Sequence, residues 1–104
     1  MKIDNPGPLF SPRGDRLAYA AMLNQKWFVV DDGKRSSEYD AIGEGSLRFS
    51  PEGLRIAYVA SENEKWFVVI DCHREPAHDA IAAGNPIFSS DGKRFAYAAT
   101  VNPL

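Results

Sequence analysis

The sequence predicts an all-β protein built from antiparallel four-stranded meanders, and three observations support this fold class. One ten-residue motif recurs along the chain at a constant spacing of 39 residues. Short apolar segments alternate with turn-forming residues, which is the pattern of short strands joined by tight turns. Finally, no segment of about ten or more residues shows the sustained periodicity of an amphipathic helix.

The repeat is defined by three kinds of segment that return in register. Two shorter segments accompany the ten-residue motif, and a fixed period of this length is typical of repeat architectures. The 104 residues contain two complete repeats and about half of a third. The segments are FSPRGDRLAY at 10–19, FSPEGLRIAY at 49–58, FSSDGKRFAY at 88–97, KWFVV at 26–30 and 65–69, and DAI at 40–42 and 79–81.

Each repeat divides into four strand segments, named a to d. Strand a is the Leu9–Phe10 region, and it ends in a Ser-Pro-x-Gly turn, in which proline presets φ and glycine accepts a positive φ. Strand b begins at Leu17, and strand c covers 27–30. Strand d is predicted at 39–42 and again at 78–81, because its polar character suits the edge of a sheet.

The side-chain pattern of strands b and c predicts that sheets stack face against face. In strand b, Leu17 and Tyr19 alternate with Ala18 and Ala20, so one face is large and the other is small. A small face lets a neighbouring sheet approach closely. Strand c is apolar on both faces, and antiparallel strands of that kind are expected only where a sheet packs on each side.

Together, the FSPxGxR-hydrophobic-Ala-Tyr motif and the KWFVV segment resemble the TolB-type, WD-like β-propeller repeat over nearly the whole chain. The resemblance implies a partial strand at 1–7, blades at 8–46 and 47–85, and a half-blade at 86–104. The third copy has Ser90 where the first two have proline. This repeat is equally similar to those of interaction platforms, periplasmic assembly factors and propellers appended to peptidases. The resemblance therefore selects no single activity.

Eight aromatic residues recur in the same register. Such recurrence predicts that they form the structural core of the repeat, in preference to an aromatic platform for a ligand. They are Phe10, Tyr19, Trp27, Phe49, Tyr58, Trp66, Phe88 and Tyr97.

The segments between strands b and c do not recur in sequence. Loops mounted on a rigid sheet are the usual place for binding groups, so these residues are the predicted binding loops. They are Met22, Leu23, Asn24 and Gln25 in the first repeat, and Ser61, Glu62, Asn63 and Glu64 in the second.

The number of repeats predicts association. Propellers close with roughly four to eight blades, and this chain supplies about two and a half. Aligned at the repeat spacing, Ile3 falls opposite Ile42 and Ile81, so 1–3 is predicted to be the tail of a strand d whose other strands lie elsewhere. We expect a second copy of the chain, or another protein, to complete the ring. The competing interpretation is a short open stack of sheets or a fragment of a longer gene product.

Composition and charge argue against two classes of partner. The formal net charge is −2 and the basic residues are scattered, so no nucleic acid is expected. The longest apolar runs, at 27–30 and 66–70, are far shorter than the ~20 residues of a membrane-spanning helix. The N-terminal segment lacks the apolar region of a secretory signal. A cytoplasmic location is therefore expected, or an exported one if the chain belongs to a longer precursor.

No residue pattern predicts catalysis or a cofactor. The best metal candidates are Cys72, His73, His78 and Asp79, which flank one predicted turn. Their spacing matches no common zinc motif, and the first repeat has no equivalent cysteine or histidine, so no metal is predicted. A Gly-x-Ser-x-Gly nucleophile motif and a phosphate-binding glycine-rich loop are both absent from the sequence.

The sequence thus predicts a non-catalytic module for protein interaction or assembly. Two alternatives stay open. One is a propeller segment accessory to a peptidase or other hydrolase, which a downstream catalytic domain in the gene would favour. The other is a propeller that binds a sugar or small ligand through its loops, which a glycan array would test.

Overall fold

The computed structural model describes residues 2–3, 7–82 and 86–100. Within these residues the chain forms fourteen β-strands and no helix, which confirms the predicted all-β class. The parts of the predicted segments that fall on residues 1, 4–6, 83–85 and 101–104 lie outside the described residues. In the described ranges, no helix is long and apolar enough to cross a membrane.

The first repeat forms a five-stranded antiparallel sheet, called the first sheet. Its strands are β1 (Lys2–Ile3), β2 (Leu9–Phe10), β3 (Leu17–Leu23), β4 (Lys26–Asp31) and β5 (Lys34–Arg35). The long strand β3 pairs with β4, which pairs in turn with β5 at the outer edge. The other edge of β3 is shared by β1 and β2, which pair with different parts of it.

The second sheet repeats this arrangement, and the third repeat keeps its first half. The second sheet consists of β6 (Ala41–Ile42), β7 (Arg48–Phe49), β8 (Ile56–Glu62), β9 (Lys65–Ile70) and β10 (His73–Arg74). The third repeat consists of β11 (Ala80–Ile81), β12 (Ile87–Phe88), β13 (Phe95–Ala96) and β14 (Ala99–Thr100). There β12 pairs with β13 and β11 pairs with β14.

Strand pairing follows the sequence period. At the junction of strands a and b, the opposed residues are Leu9 and Ala18, Arg48 and Ala57, and Ile87 and Ala96. Each pair is displaced from the previous one by the same 39 residues as the motif. Side chains that recur in sequence therefore point to the same face of each sheet, because successive residues of a strand alternate between faces.

The segment predicted as strand d, 39–42, is divided between two sheets, so that assignment is wrong. Tyr39 forms a bridge with Trp27 and extends the edge begun by β5. Beyond it, β6 pairs with β8 of the second sheet, and the N–H of Asp40 donates to a carbonyl of β8 at 2.9 Å. His78 and β11 divide in the same way. Strand d therefore ends at Tyr39, and the chain passes to the next sheet at Asp40.

The predicted role of the N-terminal strand needs the same correction. The sequence predicts that residues 1–3 end a strand d from outside the chain, but β1 pairs with β3 of its own sheet. The alignment behind that prediction is nevertheless reproduced in the pairing. Ile3 lies opposite Ala21, as Ile42 lies opposite Ala60 in the second sheet. Strand β1 is therefore the first part of strand a.

The first and second sheets pack face against face, as the strand pattern predicted. One buried cluster, called the first interface, combines the small face of the first sheet with the large face of the second. Ala18 and Ala20 in the first sheet are 0% and 4% exposed, and Tyr58 in the second is 3% exposed. The members of the cluster are Ala18, Ala20, Val29, Tyr39, Ile42, Ile56, Tyr58, Ala60, Phe67 and Val69.

A second interface joins the second sheet to the third repeat. From the second sheet it contains Ala57, Val59, Val68 and Ile70. Against them pack partly buried side chains of the third repeat, which include Phe88, Phe95 and Tyr97. Strand β9 is therefore covered on both faces, and this explains why its sequence is apolar throughout.

Candidate functional site

The two interfaces inside the chain show how one repeat recognises the next. At the first interface, Arg16 reaches across to the turn of the second repeat. Its Nη1 donates to the carbonyl oxygens of Gly53 at 3.3 Å and Leu54 at 3.0 Å, and its Nη2 pairs with Asp31 Oδ2 at 2.6 Å. The guanidinium carbon lies 5.3 Å from the ring centroid of Phe49, within the range of a cation–π contact.

Arg55 makes the equivalent contacts at the second interface. Its Nη1 donates to the carbonyl of Lys93 at 3.4 Å, and its Nε pairs with Asp71 Oδ2 at 3.0 Å. Its guanidinium carbon lies 5.9 Å and 5.7 Å from the rings of Phe88 and Phe95. We call this set of contacts, an arginine of one repeat on the ring and turn carbonyls of the next, the arginine latch.

The sequence motif contained the signal for the latch, since the arginine of FSPxGxR recurs at 16, 55 and 94. Sequence reasoning nevertheless gave the arginine no role. Its acceptors are main-chain carbonyls and an aromatic ring about 35 residues further along the chain. No local pattern reports that distant neighbour.

The turns that receive the latch also pack against one another. Gly14, Gly53 and Gly92 all have positive φ, at 77°, 80° and 73°, as the Ser-Pro-x-Gly turn requires. A Cβ on Gly53 would lie 3.5 Å from Pro12 Cδ of the preceding turn, and a Cβ on Gly92 would collide with the carboxylate of Glu52. A Cβ on Gly14 would meet nothing within 4 Å. Of these three turns, the first is the one that no described residue covers at its glycine.

At the N-terminal end, the first sheet presents a face that no other sheet covers among the described residues. We call it the N-terminal face, and it consists of Phe10, Tyr19, Ala21, Phe28 and Val30. Its inner part is already buried, since Ala21 is 0%, Phe28 2% and Val30 8% exposed, and the Arg35 guanidinium lies 3.9 Å from the Phe28 ring centroid. Phe10 is different, because its side chain is 65% exposed.

At the other end, the third repeat presents the C-terminal face, which consists of Ile87, Arg94 and Ala96. Ala96 is exposed, whereas its equivalents Ala18 and Ala57 are both 0% exposed beneath the next repeat. Ile87 is 57% exposed. An open groove of about 320 Å³ runs along this end, lined by Ile87, Phe88, Ser89, Arg94, Phe95 and Ala96.

Seven of the eight aromatic residues predicted as core pack against a buried cluster or belong to one. Trp27, Phe49 and Tyr58 lie at the first interface, Trp66, Phe88 and Tyr97 at the second, and Tyr19 on the N-terminal face. Phe10 lies outside all three clusters. Its ring points to the face of the first sheet that no described sheet covers. Phe49 and Phe88, by contrast, each pack against the preceding sheet.

The predicted binding loops are shorter in the structure than in the sequence interpretation. Met22 and Leu23 belong to β3, and Ser61 and Glu62 belong to β8. Ser61 is only 6% exposed, and Glu62 pairs with Arg74 at 2.7 Å.

Only two residues of each predicted loop form the turn itself, Asn24 with Gln25 and Asn63 with Glu64. Their φ values of 54° and 66° recur in both turns and identify tight hairpins with two central residues of positive φ. These turns are exposed, but each offers few side chains.

An ion pair ties the hairpin tips of neighbouring sheets together. Asp40 accepts from Lys26 of the first sheet and from the backbone N–H of Asn63 of the second, the latter at 2.9 Å. The hydrogen bond from Lys26, followed by that from Asn63, holds the pKa of the Asp40 carboxyl below its usual value. The same pair raises the pKa of Lys26. Lys65 and Asp79 repeat the pair one period later.

Two tyrosines meet inside the first interface. The hydroxyls of Tyr39 and Tyr58 lie 3.2 Å apart, and their rings form an edge-to-face pair with centroids 6.0 Å apart. Burial, and then the hydrogen bond with Tyr39, raise the pKa of Tyr58 well above its usual value. In the second interface, His78 and Tyr97 occupy the equivalent positions with centroids 5.8 Å apart.

The residues weighed as metal ligands are used in other ways. His78 packs on Tyr97, Asp79 pairs with Lys65, and Cys72 is an exposed turn residue with φ of 72°. Within the described residues, no group of three or more His, Cys, Asp and Glu side chains is placed to hold a metal ion.

Comparisons with known proteins give no further assignment. A scan against protein-family models found no match, and neither did searches of curated proteins or of solved structures.

Proposed function

We propose that this chain is a non-catalytic protein-assembly module, a section of a β-propeller in which one sheet recognises the next by face-to-face packing. The function of the chain is then to present the N-terminal face and the C-terminal face, each of which accepts a further sheet of the same kind. The observation that carries the proposal is the pair of interfaces inside the chain, which use equivalent residues on equivalent faces.

The exposure of the end faces supports this proposal. Ala96 is exposed where Ala18 and Ala57 are fully buried, and Phe10 is exposed where Phe49 and Phe88 are partly buried. Residues that are suited to an interface thus stand at both ends of the stack. Exposed apolar patches of this kind mark interaction sites on soluble proteins.

Side chains that recur at the repeat spacing also support a structural role, because they make the same contacts in successive repeats. The tyrosines, tryptophans and His78 all contribute to the interfaces or to the sheets beside them. The two-residue hairpin turns leave little surface for a sugar or small ligand, so the loop-binding alternative gains no support from them.

The direct test is the mass of the protein in solution. We expect sedimentation equilibrium at micromolar concentration to give a mass above that of the 11.5 kDa chain, falling towards it on dilution. A chain that stays at 11.5 kDa at every concentration, and binds no apolar fluorescent dye, would contradict the proposal.

A further inference from the structure

The arginine latch is complete twice within the chain, and the parts of a third latch lie at opposite ends. Arg94 is the third arginine of the motif and is exposed on the C-terminal face. Among the described residues, no aromatic ring lies under its guanidinium as Phe49 lies under Arg16. Phe10 is the first ring of the series, and no described arginine lies over it.

The acceptors for Arg94 follow from the repeat. Arg16 donates to the carbonyls of Gly53 and Leu54, and one repeat earlier the corresponding carbonyls are those of Gly14 and Asp15. Both residues are exposed, and no atom of the described part of the chain lies within 4 Å of a Cβ built on Gly14. The carboxylate of Asp15 adds charge that is complementary to an incoming arginine.

We propose that Arg94 of one copy docks on the Phe10 ring and on the carbonyls of Gly14 and Asp15 in a second copy of this chain. This inference rests on the proposed function and names both its partner and its contact. The C-terminal face of one copy then covers the N-terminal face of the next, so the contact is head to tail. Ala96 and Ile87 then pack beside Phe10 and Tyr19, the two residues of the N-terminal face that are not already buried.

The first experiment measures the dissociation constant of the self-associated chain by sedimentation velocity. Arg94→Gln and Phe10→Leu are each expected to weaken association by about fivefold or more, from the loss of a partly desolvated cation–π contact. The matched control is Lys34→Gln, which removes the same charge from an exposed residue that belongs to no latch and to neither end face. It should stay within about twofold of the parent.

The second experiment mixes the two variants. In a head-to-tail contact, Arg94 and Phe10 lie on different ends, so a mixed pair of Arg94→Gln and Phe10→Leu chains keeps one intact latch. We therefore expect the mixture to associate more tightly than either variant alone, by about fivefold or more. Circular dichroism of each variant checks that it remains folded.

Each outcome decides between the two ideas. If the parent chain associates but Arg94→Gln and Phe10→Leu behave like the control, the latch contact is refuted while the assembly function stands. If the variants weaken association but the mixture shows no recovery, the head-to-tail contact is refuted. If the parent chain is monomeric at all concentrations, both ideas fail together.

Discussion

The second sheet and the third repeat carry the same motif in different surroundings, and the comparison separates what the motif determines from what its neighbours determine. Both form the same Ser-x-x-Gly turn and the same pairing of strands a and b. Yet Tyr58 is 3% exposed and Ala57 is 0% exposed, while Tyr97 is half-buried and Ala96 is exposed. Local sequence sets the strand and turn, and the neighbours set the burial. Ala57 faces a following sheet and Tyr58 lies on a strand flanked by β7 and β9, whereas among the described residues Ala96 faces no following sheet and β13 pairs with β12 alone.

The tyrosine pair should show the largest difference. Tyr58→Ala removes a buried ring from between two sheets and is expected to destabilise the chain by about 3 to 5 kcal/mol, whereas Tyr97→Ala should cost about 1 to 2 kcal/mol. Urea unfolding at low protein concentration measures both. Equal losses at the two positions would show that the strand flanking the ring within its own sheet does not control the energy. Tyr58→Phe isolates the hydroxyl contact with Tyr39 and should cost about 1 kcal/mol.

The alanine pair tests the close approach of sheets. Ala57→Leu adds a side chain where a sheet already lies in contact, and overpacking of this kind costs about 1 to 3 kcal/mol. Ala96→Leu lies on the open C-terminal face and should change the stability of the monomer by less than about 0.5 kcal/mol. Thermal or urea melts of the two variants give the comparison. A large loss for Ala96→Leu in the monomer would mean that this face is already occupied.

The turn between strands c and d offers a matched pair in backbone conformation. Gly33 has φ of 85°, and its equivalent Cys72 has φ of 72°, a region that glycine adopts more easily than cysteine. Cys72→Gly is expected to stabilise the chain by about 1 kcal/mol, and Gly33→Ala to destabilise it by a similar amount. The urea denaturation midpoint of each variant shows whether the substitution stabilises or destabilises the chain. A loss of stability in Cys72→Gly would point to a contact of the thiol that outweighs the backbone.

The smallest effect concerns the Asp40 ion pair and depends on pH. Its folded pKa lies below the unfolded value of about 3.9, so its contribution to stability is present above about pH 4 and is lost as the pH falls through the folded pKa. Asp40→Asn should therefore lower the urea midpoint at pH 7, and this loss should shrink as the pH falls below about 4 towards the folded pKa. Glu44→Gln, an exposed residue with the same charge change, is the control. A pH-independent effect would assign Asp40 a purely steric role.

The sequence was sufficient for the strands, the turns and the stacking, because these follow from local alternation and from turn residues. The Ala18 and Tyr19 alternation correctly predicted a small and a large face. The two-residue turns at Asn24 and Asn63 also follow from the sequence, since asparagine accepts positive φ, but Met22 and Leu23, predicted as loop, belong to β3.

The sequence was not sufficient for connections between sheets. The segment 39–42 alternates like one strand, and nothing in it reports that Tyr39 pairs backward with Trp27 while β6 pairs forward with β8. The arginine latch was missed for the same reason, because its acceptors belong to the following repeat. Both features depend on which distant segment supplies the hydrogen-bonding partner.

The crossing at Asp40 also determines how the length of this protein can change. Removal of residues 40–78 would join Tyr39 directly to Asp79, a tyrosine-to-aspartate link like the one already present at 39–40. The shortened chain would bring the third repeat against the first sheet in the register that the second sheet now uses. Duplication of the same segment would lengthen the stack by one sheet without a new kind of junction. Deletions or insertions of other lengths would break the 39-residue spacing at which the interfaces recur.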